Sequence, residues 1–409
     1  MSQYKWMKLI IVCLTVVLPV CFMMSCKNSD ITNNEQQKDS EITGFDAEFK
    51  FSAEGGQGSA VSGDTLFACS NRGACAMYDM NTGEKIAAFD LASATEDSTH
   101  VYSNHSNQVM FGAEKFKEDD PFPLMYVTTG NSGEHDSSGA YYAKCAIERV
   151  LHSEEKGWYS ELVMLLEFND MENIPNQTGN VGKNMNVNKN MGDLLTNMYD
   201  SETGKFLYVD GNGYEQTKGY QKVSWGWPAW FTDCEPTEVT AGKIYLKGAR
   251  FRTTEAYEAL NKEVYGIESY WTTDANQKGN AYIVTEFNMP PLPKGTSASD
   301  GYGATFTLYP KDITDQFTTE YDIGFTQGGV LYKGVIYYSY GNEKNESGRY
   351  RKNGIQIIDI ASKKITGKLN LSGTVLGLGK EPECCSIWKG ELMLGLNGDG
   401  YEVYNIILK

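Results

Sequence analysis

Two carboxylates that share one short segment are the most suggestive chemical groups in the sequence. Glu381 and Glu383 flank Pro382 where a strand-like segment begins. Alternate residues of an extended chain point the same way, so both carboxylates are expected on one side of that segment. Paired acids can hold a cation or sugar hydroxyls, or act as acid and base on a glycoside. We favour the alternative, that they accept hydrogen bonds from backbone amides at a junction between repeats.

Two glutamines begin similar stretches of sequence far apart in the chain. Gln57 precedes Gly58, and Gln327 precedes Gly328 in the same context. Both side chains are expected to point toward a shared central space. An amide donates and accepts at once, so we expect ties between repeats in preference to ligand contacts.

The histidines do not predict a metal site. His105 lies in one unit with His100 and His135, and Asp97 and Asp136 are near in sequence. His100 and His105 are separated by five positions of irregular sequence, a spacing that has no particular ligand geometry. We expect His105 to be a structural hydrogen-bonding residue.

A cluster of aromatic residues is the predicted binding surface. Exposed aromatic planes stack on sugar rings or grip a partner protein. Equally, the rings would form the small core of an insertion, and the sequence leaves both readings open. The cluster contains Trp225, Trp227, Trp230 and Phe231, with Tyr214 and Tyr220.

Charge and motifs exclude several functions. The formal net charge is -17, and no block rich in Lys and Arg is present, so nucleic acid and anionic lipid surfaces are not expected partners. The sequence contains no P-loop, dinucleotide fingerprint, nucleophile elbow or zinc-protease motif. No catalytic residue, metal or cofactor is predicted.

The amino terminus predicts export and a lipid anchor. Lys5 and Lys8 precede an apolar run from Leu9 to Met24, and a polar segment follows at once. The residues before Cys26 resemble a bacterial lipobox. We therefore predict a signal peptide at residues 1–25, lipidation of Cys26, a polar tether at 26–43 and contact with the membrane through the lipid only. Lys27 favours the outer membrane. The alternative is a plain signal peptide with Cys26 incidental.

Cys69 and Cys75 flank a four-residue turn and face each other across a predicted hairpin. An oxidising compartment would permit a disulfide between them. The alternative, which stays open, is that both are small buried strand residues.

A recurring unit predicts the fold. Residues 327–371 contain three strand-like runs separated by turn residues, and similar units recur along the chain. We count five units within residues 44–409, the third carrying an insertion at about 210–278 with a helix at 254–264. The last unit has three strands, so Asp46–Phe51 is expected to supply its fourth. The prediction is an all-β, five-bladed β-propeller closed by strands from both termini; a β-sandwich pair and a β-helix fit the long unit period less well.

A series of short motifs, given in chain order at the end of this paragraph, resembles the propeller family that includes helveticin J-type bacteriocins and Bacteroidetes lipoproteins. The resemblance spans roughly residues 44–409 and implies the fold, but it brings no catalytic residue. One departure is Cys384-Cys385 where the family typically has Gly after Glu-Pro-Glu. The motifs are Gln57-Gly58, His105 with Asn107, Asp200 with Leu207-Tyr208, Thr307-Leu308 with Asp312-Ile313 and Gln316-Phe317, Gln327-Gly328 with Ile358-Asp359, and Glu381-Pro382-Glu383.

Together these patterns predict an exported, lipid-anchored propeller that binds a glycan or an envelope protein without catalysis. The alternative is a glycan-active hydrolase or lyase that uses Glu381, Glu383 or His105 in the channel. A scaffold role in an outer-membrane complex is a third reading.

Overall fold

The computed structural model describes most of the chain beyond the predicted tether. The described residues are 44–70, 73–94, 106, 108–128, 143–168, 197–200, 205–206, 220–251, 281–309, 312–320, 326–341 and 353–409. All belong to the larger of the two units into which the chain divides, Ser40–Lys409. The predicted signal peptide, Cys26, the tether, His105 and the helix at 254–264 lie outside the described residues.

Strands dominate the described part of the chain, which contains no α-helix and two short 3₁₀ turns at Ala92–Ala94 and Ala298–Asp300. The strands are numbered from β1 (Phe45–Ala53) onward and form five sheets. The first sheet contains β2 (Ser59–Ser62), β3 (Thr65–Cys69), β4 (Ala74–Asp79) and β5 (Lys85–Asp90). The second contains β6 (Gln108–Phe111), β7 (Met125–Thr128), β8 (Ala143–Ser153) and β9 (Gly157–Phe168).

The third sheet is the largest. It contains β10 (Asn197–Asp200), β11 (Lys205–Phe206), β12 (Tyr220–Phe231), β13 (Lys243–Phe251), β14 (Ala281–Asn288) and β16 (Ile313–Glu320). Between β14 and β16, the chain crosses to the second sheet, where β15 (Ala304–Leu308) pairs in parallel with β9. The crossover segment, residues 289–309, therefore joins these two sheets at their outer edges.

The last two sheets complete the ring. The fourth contains β17 (Thr326–Tyr332), β18 (Val335–Tyr340), β19 (Gly354–Asp359) and β20 (Lys364–Asn370). The fifth contains β21 (Glu381–Trp388), β22 (Glu391–Asn397), β23 (Tyr401–Leu408) and β1, in the order β21-β22-β23-β1. The protein is thus a five-bladed β-propeller, as the repeat pattern predicts, and we number the blades 1 to 5 in this order.

The amino-terminal strand closes the last blade. β1 pairs antiparallel with β23, from Phe45 opposite Leu408 to Ala53 opposite Tyr401. At the outer end, the backbone amide of Lys409 donates to the carbonyl of Gly44 at 2.9 Å. The predicted closure of the ring by strands from both termini is confirmed.

Turn chemistry fixes the register of the inner hairpins. The β17–β18 turn is Lys333-Gly334, with φ of 50° and 79°, and the β21–β22 turn is Lys389-Gly390, with φ of 52° and 83°. Positive φ at both central residues matches the right-handed twist of the flanking strands, and glycine adopts it without steric cost. The carboxylate of Asp233 accepts from the backbone amides of Lys333 at 3.0 Å and Gly334 at 2.7 Å, so it ties blade 3 to the first turn of blade 4.

Hydrophobic side chains fill the layers between neighbouring blades. One cluster joins blades 1 and 2, another joins blades 4 and 5, and a third joins blades 5 and 1, while the largest spans blades 2, 3 and 4. Burying both faces of each sheet explains the continuous apolar runs in β7 and β22.

The five innermost strands, β2, β6, β12, β17 and β21, pack against one another around the axis. A cavity of about 20 Å³ remains between them, lined mainly by apolar side chains such as Ala60, Val109 and Val330, together with Cys385. That volume has room for roughly one water molecule. Within the described residues, the middle of the channel is therefore filled by side chains.

The range predicted as an insertion, 210–278, is described only at residues 220–251. There it supplies β12 and β13, the innermost strand of blade 3 and its neighbour. β11 pairs with β10 at one edge of the same sheet. The register of β12 against β13 shifts between Ser224 and Ala229. Because of this irregularity, β12 lacks the regular alternation of apolar and polar residues that indicates a strand.

Close approach of blades 1 and 2 generates a stability prediction. A methyl group at Gly58 would lie 2.5 Å from the carbonyl oxygen of Ser106 and 2.9 Å from the backbone nitrogen of Val109. We expect Gly58→Ala to lower the free energy of unfolding by about 1–3 kcal/mol in urea denaturation. Gly400→Ala is the matched control, because a methyl group there meets nothing within 4 Å. Equal losses in both variants would contradict the packing described here.

Candidate functional site at the channel entrance

The ring has two distinct faces. The connections between the second and third strands of each blade, and those between blades, leave from one face, called here the upper face. The connections between the first and second and between the third and fourth strands lie on the opposite, lower face. Innermost strands begin at the upper face, so Gln57, Gln327 and Glu381 all lie at the upper entrance of the channel.

Gln327 and Glu381 form a hydrogen bond between blades. The Gln327 side-chain amide donates to Oε1 of Glu381 at 2.7 Å and to the carbonyl of Gly341 at 3.2 Å. Gln327 is buried and Glu381 half-buried. This geometry corresponds to a tie between blades 4 and 5, because the amide and the carboxylate use each other as partners.

Glu383 occupies a different environment from Glu381. It is only 1% exposed, and its Oε1 accepts from the Asn397 side-chain amide at 3.2 Å. The same amide donates to the carbonyl of Gly56 at 3.2 Å. The pairing of β21 with β22 shifts between Pro382 and Cys384, so simple alternation does not apply across the motif. The two carboxylates therefore have separate partners in the described structure.

Gln108 is a central residue that the sequence reasoning missed. It is fully buried at the start of β6, and its side-chain amide donates to the carbonyls of Trp230 at 3.1 Å and Gly329 at 2.9 Å. Its Oε1 accepts from the backbone amide of Gly329 at 2.5 Å. One side chain thus joins blade 2 to blades 3 and 4. The signal available in the sequence was a third glutamine at a blade entrance, comparable to Gln57 and Gln327.

Gln57 lies at the equivalent entrance of blade 1. Its backbone amide donates to the carbonyl of Cys69 at 3.2 Å. Its side-chain oxygen is buried and accepts no hydrogen bond from the described residues. Gln57 therefore differs from Gln108 and Gln327, whose amides join neighbouring blades.

Trp230 does not contribute to an exposed aromatic surface. It is fully buried on β12, its ring centroid lies 5.9 Å from that of Phe287, and its backbone amide donates to Oγ1 of Thr128 at 3.2 Å. Of the two readings left open for the aromatic cluster, a binding surface or a core, Trp230 matches the core, since its ring is buried between blades. Trp225 and Trp227 lie on the same strand, but their side chains are outside the described part of the structure.

Cys69 and Cys75 face each other, as the predicted hairpin requires. They are directly opposite in the β3–β4 ladder, both are buried, and both thiols are free, with the sulfur atoms 3.2 Å apart. The adjacent pair, Ser70 and Ala74, carries a ladder hydrogen bond, so the cysteines occupy a position where opposite side chains approach closely. Burial and the neighbouring Cys69 thiol raise the pKa of Cys75 well above its ordinary value.

A buried lysine, in contrast to Gln108, has no signal in the sequence. Lys247 on β13 is 2% exposed, and its Nζ lies 3.7 Å from the centroid of the Tyr338 ring in blade 4. Burial disfavours the charged form and lowers the pKa of this amine well below its ordinary value. The contact joins blades 3 and 4 inside the core.

Neither a cluster of metal-ligating side chains nor a membrane-spanning helix occurs among the described residues. No group of three His, Cys, Asp or Glu side chains is arranged to hold a metal ion in the described part of the chain. Among those residues, no helix has the length and apolar character needed to cross a membrane.

Comparison with known proteins adds little to this geometry. No protein-family model and no curated protein sequence matches the chain. Among solved structures, the chain is similar to the soluble aldose sugar dehydrogenase of Escherichia coli in its apo form. The TM-score is 0.36 and the sequence identity 10%, covering 90% of this chain and 100% of that chain. A TM-score this low does not establish a structural relationship, so the propeller architecture is assigned from the strand order alone.

The role of Gln108 can be tested by removing its amide. We expect Gln108→Leu to destabilise the protein by about 2–4 kcal/mol, because it leaves the buried backbone groups of Trp230 and Gly329 without a hydrogen-bond partner. Gln57→Leu is the matched control, since the side-chain oxygen of Gln57 accepts no hydrogen bond from the described residues; its cost should stay below about 1 kcal/mol. Thermal unfolding of both variants makes the measurement, and a Gln108→Leu protein as stable as the control would refute the role.

Proposed function

We propose that this propeller is an exported, lipid-anchored protein that binds a glycan or an envelope protein without catalysing a reaction. The observation that carries the proposal is that the two carboxylates at the channel entrance are hydrogen-bonded to other side chains of the protein. Glu381 is bonded to Gln327 and Glu383 to Asn397, and the cavity between the innermost strands has a volume of about 20 Å³. Hydrolysis of a glycoside needs two carboxyl groups that converge on one open position. The separate partners of Glu381 and Glu383 support binding over catalysis.

Membership of the helveticin J-like family of propellers and lipoproteins is part of the proposal. It is supported by the order of short motifs and is compatible with the five blades. Attachment to the outer membrane through Cys26 rests on the amino-terminal sequence pattern alone. No nucleic acid partner is proposed, because the chain carries a net charge of -17 without a basic block.

Glycan binding is tested with the full chain purified in detergent. We expect saturable binding to members of a glycan array, with no release of reducing ends from the bound glycans. Time-dependent release that disappears in both Glu381→Gln and Glu383→Gln would overturn the non-catalytic proposal in favour of a hydrolase. A stoichiometric protein captured from membranes, with no glycan bound, would select the envelope-protein reading.

Lipid anchoring is tested by fractionation. We expect Cys26→Ala to move the protein from the membrane fraction to the soluble fraction, because the lipid on Cys26 is the only membrane attachment that we propose. Cys234→Ala is the control, since this partly buried cysteine lies within the propeller, and its distribution should match that of the unmodified protein. A Cys26→Ala protein that stays in the membrane fraction would refute the anchor.

A further inference from the structure

The lower face carries an open cavity that no entrance residue touches. Its volume is about 560 Å³, within the range of cavities that hold small ligands. Three segments form it: the loop after β6 at residues 117–121, the β8–β9 hairpin, and the crossover segment with Thr296 and Tyr302. All of its lining residues lie in the described part of the chain.

A buried ion pair forms the rigid part of this cavity. Arg149 is bonded to both carboxylate oxygens of Asp120, with Nε to Oδ2 at 2.9 Å and a second bond from an Nη atom. The two side chains are 7% and 3% exposed. Burial alone would raise the pKa of Asp120, but the guanidinium and the backbone amide of Lys117 outweigh it and hold that pKa below its usual range. The pair therefore stays ionised and fixes the loop to the hairpin.

Glu161 is held in place by one oxygen and leaves the other available. Its Oε2 accepts from the Tyr302 hydroxyl at 2.7 Å and from Arg149 at 3.3 Å. Burial and the bond to Glu161 raise the pKa of Tyr302 to about 12, so the phenol remains a donor. Oε1 accepts no hydrogen bond from the described residues, and the side chain is 37% exposed. A carboxylate fixed in this way is ready to accept from a ligand hydroxyl.

An aromatic side chain lies beside this carboxylate. Tyr159 and Glu161 alternate on one face of β9, opposite Leu151 and Arg149 of β8. The other face of the same hairpin packs into the core between blades 1 and 2 through Val150 and Trp158. Tyr159 is therefore directed away from the core and lines the cavity, with Nζ of Lys156 4.9 Å from the centroid of its ring.

The composition of the lining selects a ligand class. The wall offers carboxylate acceptors, the Lys117 ammonium as donor and the tyrosine rings, with little purely apolar surface. An anionic ligand is disfavoured, because Arg149 is already neutralised and Asp119, Asp120 and Glu161 outnumber the two cations. A sugar fits: its hydroxyl groups both donate and accept, and its ring C–H face packs on an aromatic plane.

We propose that this cavity is a carbohydrate site, in which Glu161 accepts from sugar hydroxyls and Tyr159 packs against a sugar ring. The proposal rests on the proposed glycan-binding function and locates it at the lower face of blade 2. It assigns the entrance carboxylates to structure and this cavity to recognition of an uncharged oligosaccharide.

The test is calorimetric titration of the full chain in detergent with maltotetraose, cellotetraose, xylotetraose and N-acetylchitotetraose. We expect at least one to bind, and Glu161→Gln and Tyr159→Ala each to weaken that binding by about tenfold or more. Glu155→Gln is the matched control, since this exposed glutamate lies in the neighbouring β8–β9 turn outside the cavity and should leave the affinity unchanged. Melting temperatures of all variants check that each one is folded, and two independent variants keep the test valid if one is unstable.

The outcomes separate the two proposals. A sugar that binds the unmodified chain and both cavity variants equally would overturn the site while leaving glycan binding intact. A chain that binds none of the four sugars and no member of the glycan array would overturn glycan binding and the site together.

Discussion

Packing of five innermost strands around one axis is the constraint on which this structure depends. Those strands carry backbone groups that face the axis, and each buried group needs a hydrogen-bond partner. Gln108 satisfies three of them with a single amide and joins three blades in doing so. Gln327 and Asn397 act in a related way farther around the ring. The ring therefore requires polar side chains as hydrogen-bond partners between blades. In the sequence alone, the same side chains resemble a ligand site.

Polar side chains near the axis are used to hold the blades together, whereas some polar side chains at the lower face are not fully used in this way. The channel is filled, and its entrance residues bond across blades. At the lower face of blade 2, by contrast, the buried pair of Arg149 and Asp120 supports Glu161, whose second oxygen stays available. The supporting contacts are made by the protein itself, so the exposed groups are held without a ligand. Such preorganisation lowers the entropy lost on binding.

The sequence was informative where the local pattern is regular and uninformative where the fold brings distant segments together. Blades 4 and 5 and the closing strand follow from strand-like runs separated by turn residues. In blade 3, Trp225 to Pro228 interrupt the alternation of β12, so the local pattern does not identify this central strand. Trp230 is similar, since the identity of a large aromatic residue does not tell whether it is buried or exposed. The lower cavity combines residues near 119, 160 and 300, and no local spacing could have predicted it.

The pairing of β1 with β23 also determines when the protein can exist as a ring. Asp46 and its partner Lys409 are separated by 363 positions along the chain. β1 emerges first during synthesis, yet its hydrogen-bonding edge is covered only when β23 has been made. Contacts of such sequence separation form slowly, and an uncovered strand edge invites pairing with other chains. A nascent chain therefore carries this edge uncovered until its carboxyl-terminal strand has been made.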